Sequence, residues 1–222
     1  MDIAIPLYDG FTALDAVGPY EVLSRIPGSS VTFVAVEPGP PKPRGHSPSA
    51  SIPVSVNTDN GMLTLVAERS LDDVARPDIV LVPGGPGDVV ARAGEPMLEW
   101  LRTADRTSTW TTSVCTGSLI LAAAGLLEGK RATSHWLALD RLGELGAVPT
   151  SERVVFDGKL VTAAGVSAGI DMALALAARI AGDQVAQAIQ LGIEYDPQPP
   201  FDAGSPQKAP AEVVELLRSR SV

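Results

Sequence analysis

The chain has 222 residues, a length that suits one domain with a full hydrophobic core, since single domains extend to about 250 residues. Its 17 Lys and Arg against 26 Asp and Glu give a net charge of −9. Nucleic-acid binding is therefore not expected, because acidic surfaces and phosphate backbones repel each other. The single cysteine excludes an internal disulfide and any zinc site built on several cysteines.

The sequence predicts a cytoplasmic protein without a signal peptide or membrane span. The N-terminus has no basic segment and carries Asp2 and Asp9, unlike a secretory signal. The longest uncharged run is 107–127, and its apolar part, 119–127, is too short to cross a bilayer. A lone thiol is also typical of a reducing compartment.

The prolines divide the chain into a folded part and two irregular parts. Of the 19 prolines, six lie in 38–53 and five in 197–210. We interpret these stretches as a surface loop and an extended arm, where a missing N–H donor costs little. One α/β domain is expected over 1–195, with a C-terminal arm over 196–222 that packs on the same domain or on a dimer partner.

Short apolar runs alternate with helical segments along the folded part. The predicted strands are Ile3–Tyr8, Val31–Val36, Ser51–Asn57, Met62–Ala67, Asp78–Val82, Thr109–Val114, Val154–Phe156 and Lys159–Thr162. The predicted helices are Pro96–Asp105, Thr116–Leu126, His135–Leu142, Ser167–Ala181 and Asp183–Leu191. Turn residues at 59–61 and 157–158 indicate two hairpins. The alternation predicts a flavodoxin-like three-layer α/β sandwich, with a mostly parallel sheet, helices on both faces and ligand sites at the carboxyl ends of the strands.

Cys115 is the first candidate for chemistry. It follows the strand TWTTSV and precedes the helix TGSLILAAAGLL, with the small residues Ser113 and Gly117 two positions to either side. A nucleophile elbow needs this arrangement. The N-terminal end of the following helix is expected to lower the thiol pKa. The alternative is a buried small hydrophobic residue, the commonest fate of a free cysteine; the strand-to-helix context favours the nucleophile.

The pair Gly84-Gly85 ends a different strand. Adjacent glycines allow backbone N–H groups to approach a substrate closely. If the two strands are neighbours, these amides and that of Thr116 would converge near Cys115 as an anion-stabilising pocket. A plain turn is the alternative interpretation of the glycine pair.

Two acids flank the break Gly18-Pro19. Pro19 suits the first position of a helix and Glu21 falls in its first turn, where the dipole favours an acid, so Glu21 has a sufficient structural explanation. Asp15 lies in an apolar stretch, and we expect it to be partly buried. Burial would raise its pKa and make it a usable proton donor.

The two histidines are weaker candidates. His135 either pairs with the thiolate or caps the helix that it begins, and the capping role is slightly favoured. His46 lies in the proline-rich loop and is expected to be solvated. Two histidines this far apart, without an acid at ligand spacing, make a poor metal site, so no metal is expected.

Three blocks of sequence carry a family resemblance: LDAVGPYEVL, LVPGGPGD and SVCTGSLILAAAGLLEGKRATSHW. In this order, over almost the whole chain, they resemble the ThiJ/PfpI superfamily of glutamine-amidotransferase-like α/β proteins. Within that superfamily the sequence is most similar to the isonitrile hydratases. The tail EYDPQPPFDAGSPQKAPAEVV also resembles the C-terminal arm of those enzymes.

Departures from the motif argue against other branches of the superfamily. Thr116 stands where the PfpI-type peptidases carry a histidine. No histidine follows His135, so the late His-x-Glu of the glutamine amidotransferases is missing. The AraC-type regulators append a DNA-binding region of about a hundred residues, for which the last stretch of this chain is too short.

The resemblance implies a nucleophile at Cys115, an essential acid at Asp15 and a neighbouring hydroxyl at Thr116, and it places the superfamily's acidic partner of the cysteine near Glu21. The implied reaction hydrates an isonitrile to a formamide through a thioimidate on Cys115, without metal or organic cofactor. The resemblance also implies a homodimer. One alternative is a glyoxalase or deglycase type of enzyme that uses Glu21, Cys115 and His135. The other is a ligand-sensing or redox-sensing module without activity.

Overall fold

The computed structural model describes residues 1–36 and 53–219. His46 and nearly all of the predicted loop 38–53 lie outside the described residues. The strands are β1 Asp2–Leu7, β2 Ser30–Ala35, β3 Val54–Asn57, β4 Thr64–Ala67, β5 Arg69–Ser70, β6 Ile79–Val82, β7 Trp110–Val114, β8 Arg131–Ala132, β9 Val148–Pro149, β10 Val154–Asp157 and β11 Leu160–Ala163. The helices are α1 Ala13–Leu23, α2 Asp88–Ala91, α3 Glu95–Asp105, α4 Gly117–Ala123, α5 Leu139–Glu144, α6 Ala168–Ala181, α7 Asp183–Gly192 and α8 Ala211–Ser219.

A seven-stranded sheet in the order β10-β11-β7-β6-β1-β2-β5 forms the centre of the fold. Its neighbours pair in parallel except β10, which runs antiparallel to β11 at one edge. Gly158, with φ of +63°, opens the two-residue turn between them. β3 and β4 pair antiparallel in a sheet of their own. The predicted parallel sheet and both predicted hairpins are confirmed.

Alternate side chains of β1 enter the two halves of the core. Ile3, Ile5 and Leu7 belong to one apolar cluster with side chains of α1, α6 and α7, whereas Ala4 belongs to a second cluster with α3, α4 and α5. Helices therefore cover both faces of the sheet, and β6 is an unbroken apolar run because both of its faces are buried. The predicted three-layer α/β sandwich is confirmed.

Helix α1 begins earlier than the sequence indicates. Pro19 lies in the interior of the helix rather than at its first position, and Asp15 is the acid in the first turn. An interior proline removes one backbone hydrogen bond. Pro19 is buried here, and its Cγ would lie 3.0 Å from a Cβ placed on Gly169 of α6. The close approach of α1 to α6, made possible by small residues, offsets the lost hydrogen bond.

Adjacent strands bring the glycine pair and the cysteine together. β6 lies beside β7, with Val82 opposite Ser113, so the segments that follow the two strands meet at the carboxyl edge of the sheet. A Cβ on Gly84 would lie 2.4 Å from the backbone nitrogen of Thr116, and a Cβ on Gly117 would lie 2.2 Å from the carbonyl oxygen of Val82. Only glycine fits at either position.

The described part of the C-terminal arm contacts the domain at Trp136. Pro206, Val213 and Leu217 line a small groove together with the indole, and the guanidinium carbon of Arg218 lies 6.0 Å from the centre of its ring. The boundary between domain and arm stays a prediction. Within residues 1–36 and 53–219, none of the helices combines the length and the apolar character that a bilayer crossing requires.

Candidate active site

Cys115 occupies a strained turn between β7 and α4. Its φ is +57°, a left-handed conformation that is uncommon for a residue with a side chain. The turn is held on both sides, because the backbone N–H of Cys115 donates to Ala163 and Ala164 while its carbonyl accepts from the hydroxyls of Ser118 and Ser134. This is the predicted elbow, and it leaves the thiol only 6% exposed.

Asp15 reaches the same place from α1 and is fully buried. Its Oδ2 accepts the backbone N–H of Gly84 at 3.0 Å, whereas its Oδ1 has no hydrogen-bond partner among the described residues. Burial raises the pKa of Asp15 to about 7, although the Gly84 amide and the side chain of Cys115 act in the opposite direction. Asp15 is therefore a carboxyl that exchanges its proton near neutral pH.

The thiol is less acidic than the sequence indicates. Burial, followed by the charge of Asp15, raises the pKa of Cys115 to about 12. The backbone amides of Val166 and Thr116 act in the opposite direction, and they are outweighed. The expectation that the helix after Cys115 would lower the thiol pKa is wrong, because α4 has only seven residues while desolvation and a neighbouring carboxylate both favour the protonated sulfur.

Asp15 and Cys115 titrate as a coupled pair. A negative charge on either group makes ionisation of the other less favourable in a site with little water. With pKa values of about 7 for Asp15 and about 12 for Cys115, the pair holds one proton over the pH range between them. Above pH 7 the Asp15 carboxyl is therefore mostly ionised, and the Cys115 thiol keeps its proton.

The backbone amides of Gly84 and Gly85 already donate hydrogen bonds within the protein. Gly84 N–H donates to Asp15, and Gly85 N–H donates at 2.9 Å to the hydroxyl of Thr116, which in turn donates at 3.2 Å to the Gly85 carbonyl. The expected pocket of Gly84, Gly85 and Thr116 amides is therefore only partly present, since the Thr116 amide alone of these three acts on the sulfur. The Thr116 side chain therefore links the Gly84-Gly85 segment to the elbow through two hydrogen bonds.

Two residues near the pair, Val166 and Tyr8, are not predicted from the sequence. Val166 supplies an amide to the sulfur and has φ of +34°, which is unfavourable for a β-branched side chain. The hydroxyl of Tyr8 donates to the Pro83 carbonyl at 2.8 Å, and burial with the nearby charges of Asp88 and Asp15 raises its pKa well above the usual value. The position of Tyr8 directly after β1 is a signal that could have identified it, because ligand sites lie at the carboxyl ends of parallel strands.

His135 packs beside the site and acts as a cap. Its Nδ1 accepts the backbone N–H of Leu137 at 3.4 Å and begins a single 3-10 turn, Trp136–Ala138, which precedes α5. Its ring lies against Gly165, where a Cβ would meet the ring carbon Cδ2 at 2.7 Å. Burial lowers the pKa of the imidazole, so the ring is neutral at pH 7. Of the two roles considered for His135, the hydrogen bond to Leu137 supports the cap.

Glu21 is not brought to Cys115. Its side chain is 46% exposed and lies 2.6 Å from Arg25, and both line a groove of about 380 Å³ on the outer side of α1. Because the helix begins at Ala13, Asp15 faces the interior, and Glu21, six residues later, lies about 120° around the helix from it. The acidic partner of the cysteine is therefore Asp15 rather than Glu21. Among the described side chains, no group of three or more His, Cys, Asp and Glu is placed to hold a metal ion.

Comparison with protein-family models matches residues 1–179 to the DJ-1/PfpI family. The chain belongs to this family. It is 41% identical over 221 residues to isonitrile hydratase from Pseudomonas putida, covering the whole of this chain and 90% of that enzyme. A crystal structure of a ThiJ/PfpI family protein from Pseudomonas syringae superposes with a TM-score of 0.87 at 36% identity, covering 99% of this chain and 85% of that one.

A glyoxalase is a more distant relative. Glutathione-independent glyoxalase DJR-1.2 from Caenorhabditis elegans is 26% identical over 122 residues, or 54% of this chain and 65% of the glyoxalase. Residues after 179 lie beyond the family model but within the full-length match to isonitrile hydratase.

Replacing Asp15 with Asn should make the Cys115 thiol more acidic. The neutral amide removes the charge that raises the thiol pKa while leaving the sulfur buried. Alkylation by iodoacetamide at pH 8 should be several-fold faster than in the unmodified protein, since each unit of pKa changes the thiolate fraction about tenfold. Intact mass reports it without ambiguity, because the chain has one cysteine.

Asp140→Asn is the matched control for this experiment. It removes an exposed carboxylate in the first turn of α5 and should leave the alkylation rate unchanged. Slower alkylation of Asp15→Asn than of the unmodified protein would show that the carboxyl promotes ionisation of the thiol, the reverse of the coupling derived above.

Proposed function

We propose that this DJ-1/PfpI protein is an isonitrile hydratase, which adds water to R–N≡C and releases the N-substituted formamide R–NH–CHO. The buried Asp15–Cys115 pair carries the proposal, because it offers a nucleophile and a proton to the same carbon atom. The 41% identity to isonitrile hydratase from Pseudomonas putida over the whole chain supports it.

The first step joins Cys115 to the terminal carbon of the isonitrile. The sulfur forms a bond to that carbon, and the proton held by the Asp15–Cys115 pair moves through Asp15 to the same carbon. The product is a thioimidate, R–N=CH–S–Cys115, with an ionised Asp15. Asp15 suits this transfer, because it interacts directly with the Cys115 side chain and its Oδ1 accepts no hydrogen bond from another described group.

The second step hydrolyses the thioimidate. Asp15 takes a proton from water, the hydroxide oxygen adds to the carbon, and the proton passes to the nitrogen. The carbon–sulfur bond of the tetrahedral intermediate then breaks, and the hydroxyl proton returns through Asp15 to the departing sulfur. One isonitrile and one water give one formamide, and the pair regains its single proton, so the chemistry balances without a metal or organic cofactor.

The raised thiol pKa agrees with this sequence of steps. A thiolate of high pKa is intrinsically more nucleophilic than one of low pKa, provided that the base that frees it is adjacent. The same high pKa makes an unassisted thiolate a poorer leaving group, so returning a proton to the sulfur aids the second step. Asp15 is placed to serve both requirements.

The two alternatives are less compatible with the site. A glyoxalase that used Glu21, Cys115 and His135 would need the three side chains together, but Glu21 pairs with Arg25 and the His135 Nδ1 accepts a backbone N–H. A redox sensor typically has an exposed thiol of low pKa. Cys115 is buried and its pKa is raised.

The proposal includes a homodimer in the cytoplasm. Large apolar side chains of the C-terminal part are exposed in the single chain, with Leu191 at 78%, Phe201 at 79% and Leu216 at 49%. A second copy of the chain would remove them from water. The cytoplasmic location rests on the lone reduced thiol.

The purified protein should convert cyclohexyl isonitrile to N-cyclohexylformamide, measured by chromatography. Cys115→Ala should reduce turnover to the uncatalysed background, and Asp15→Asn should reduce it by about 10²-fold or more, the usual contribution of general acid–base catalysis. Glu21→Gln is the matched control and should retain activity, since Glu21 lies on the outer side of α1. Turnover by Cys115→Ala would rule out the thioimidate, and methylglyoxal turnover that depends on Glu21 would favour the glyoxalase.

The kcat/KM for the isonitrile should rise as the pH increases through about 7. Below that pH both Asp15 and Cys115 carry a proton, and the protonated carboxyl cannot accept the proton of the thiol. Above it the singly protonated, reactive pair predominates up to a pKa of about 12. A profile that falls above pH 7 would assign the reaction to the doubly protonated pair and contradict the first step.

The molar mass in solution should be twice the 23.0 kDa of one chain, as measured by light scattering. Phe201→Asp should lower the mass or make it concentration-dependent, because a charge replaces an apolar contact at the interface. Val90→Asp, on an equally exposed side chain of α2, is the control and should leave the mass unchanged. A mass of one chain at micromolar concentration would refute the homodimer.

A further inference from the structure

A network of charged and polar side chains surrounds the first turn of α6. Oδ1 of Asp171 accepts the hydroxyl of Tyr195 at 2.7 Å, and Oδ2 accepts Nε of Arg153. A terminal nitrogen of Arg153 donates to the hydroxyl of Ser167 at 3.3 Å. The network joins the segment before β10, the residue before α6, α6 itself and the chain beyond α7.

The network lies next to the segment that supplies an amide to the thiol. Ser167 directly follows Val166, and the backbone carbonyl of Arg153 accepts the N–H of Ala164 at 2.9 Å. Arg153 therefore holds residues on both sides of Val166, through its carbonyl on one side and its guanidinium on the other. The φ of +34° at Val166 is unfavourable, and such a conformation persists only where the surroundings enforce it.

We propose that Arg153, Asp171 and Tyr195 are positioning residues, which hold the Val166 amide against the sulfur of Cys115 and thereby set the reactivity of the thiol. The described contacts of these side chains are to one another and to Ser167, so they act on Cys115 through Val166. The Val166 amide favours the ionised sulfur. Releasing it should make Cys115 slower to react. The inference rests on this geometry and holds whichever substrate the site takes.

Tyr195 is the member of the network that lies outside the part of the chain matched by the family model. It lies beyond residue 179, where the match to the DJ-1/PfpI family model ends, but within the match to isonitrile hydratase. Through Tyr195, the chain beyond α7 is hydrogen-bonded to Asp171 in α6 of the common domain. The side chains of Arg153 and Asp171 are 49% and 29% exposed, so variants at these positions should still fold.

The test measures the rate of Cys115 alkylation by iodoacetamide as a function of pH in Arg153→Met and Tyr195→Phe. Each variant should react roughly fivefold more slowly near neutral pH, the size of effect expected for one lost hydrogen bond, and the apparent thiol pKa should move upward. Arg153→Lys should recover part of the rate, because an ammonium still pairs with Asp171. If isonitrile is turned over, kcat should fall with little change in KM.

Arg131→Met is the matched control. It removes a guanidinium of similar exposure that pairs with Glu152, the residue before Arg153, and it should alkylate at the unmodified rate. Unchanged rates and pH profiles in both Arg153→Met and Tyr195→Phe would overturn the proposal, as would an equal loss in Arg131→Met. Absence of isonitrile turnover in the unmodified protein, with the alkylation shift present, would refute the proposed function and leave the positioning role established.

Discussion

The site depends on a carboxyl and a thiol that are buried next to each other in a place with little water. Burial raises the pKa of both groups, and the charge of Asp15 further raises that of Cys115, so above pH 7 the pair mostly keeps a single proton, on the sulfur. Burying a carboxyl whose Oδ1 lacks a hydrogen-bond partner in the described structure costs folding free energy. Such a cost is expected at a functional site, where residues needed for the reaction are kept although they lower the stability of the fold.

The fold meets this requirement by bringing three segments to one edge of the sheet. β6 and β7 are neighbours, so the glycine segment and the elbow are held in register, and the first turn of α1 supplies Asp15. Gly84 donates to Asp15 and is itself pressed against the backbone of Thr116. A side chain at Gly84 would therefore disturb the carboxyl and the elbow together, which couples the position of the acid to that of the nucleophile.

Local sequence patterns predict much of the fold and part of the site. The longer strands, both hairpins, the elbow at Cys115 and the burial of Asp15 follow from runs of apolar residues and turn signals within a few positions, whereas the two-residue strands β5, β8 and β9 are not predicted. The sign of the thiol pKa shift, the amide from Val166 and the outer position of Glu21 do not, because they depend on segments far apart in the chain. The thiol pKa, for instance, is raised first by burial and then by the carboxylate of Asp15, a hundred residues earlier in the chain, and the amide of Thr116 before the short α4 does not outweigh them.

The raised thiol pKa makes the reactivity of Cys115 conditional. A cysteine kept as a thiolate reacts with oxidants and electrophiles indiscriminately, whereas a protonated and buried sulfur does so slowly. In the proposed reaction the sulfur becomes a strong nucleophile only when Asp15 can pass its proton to an acceptor, and the terminal carbon of an isonitrile accepts a proton and a nucleophile at the same atom. Few electrophiles meet both conditions within one small site, so under this proposal the Asp15–Cys115 pair would select for the reaction as well as promote it.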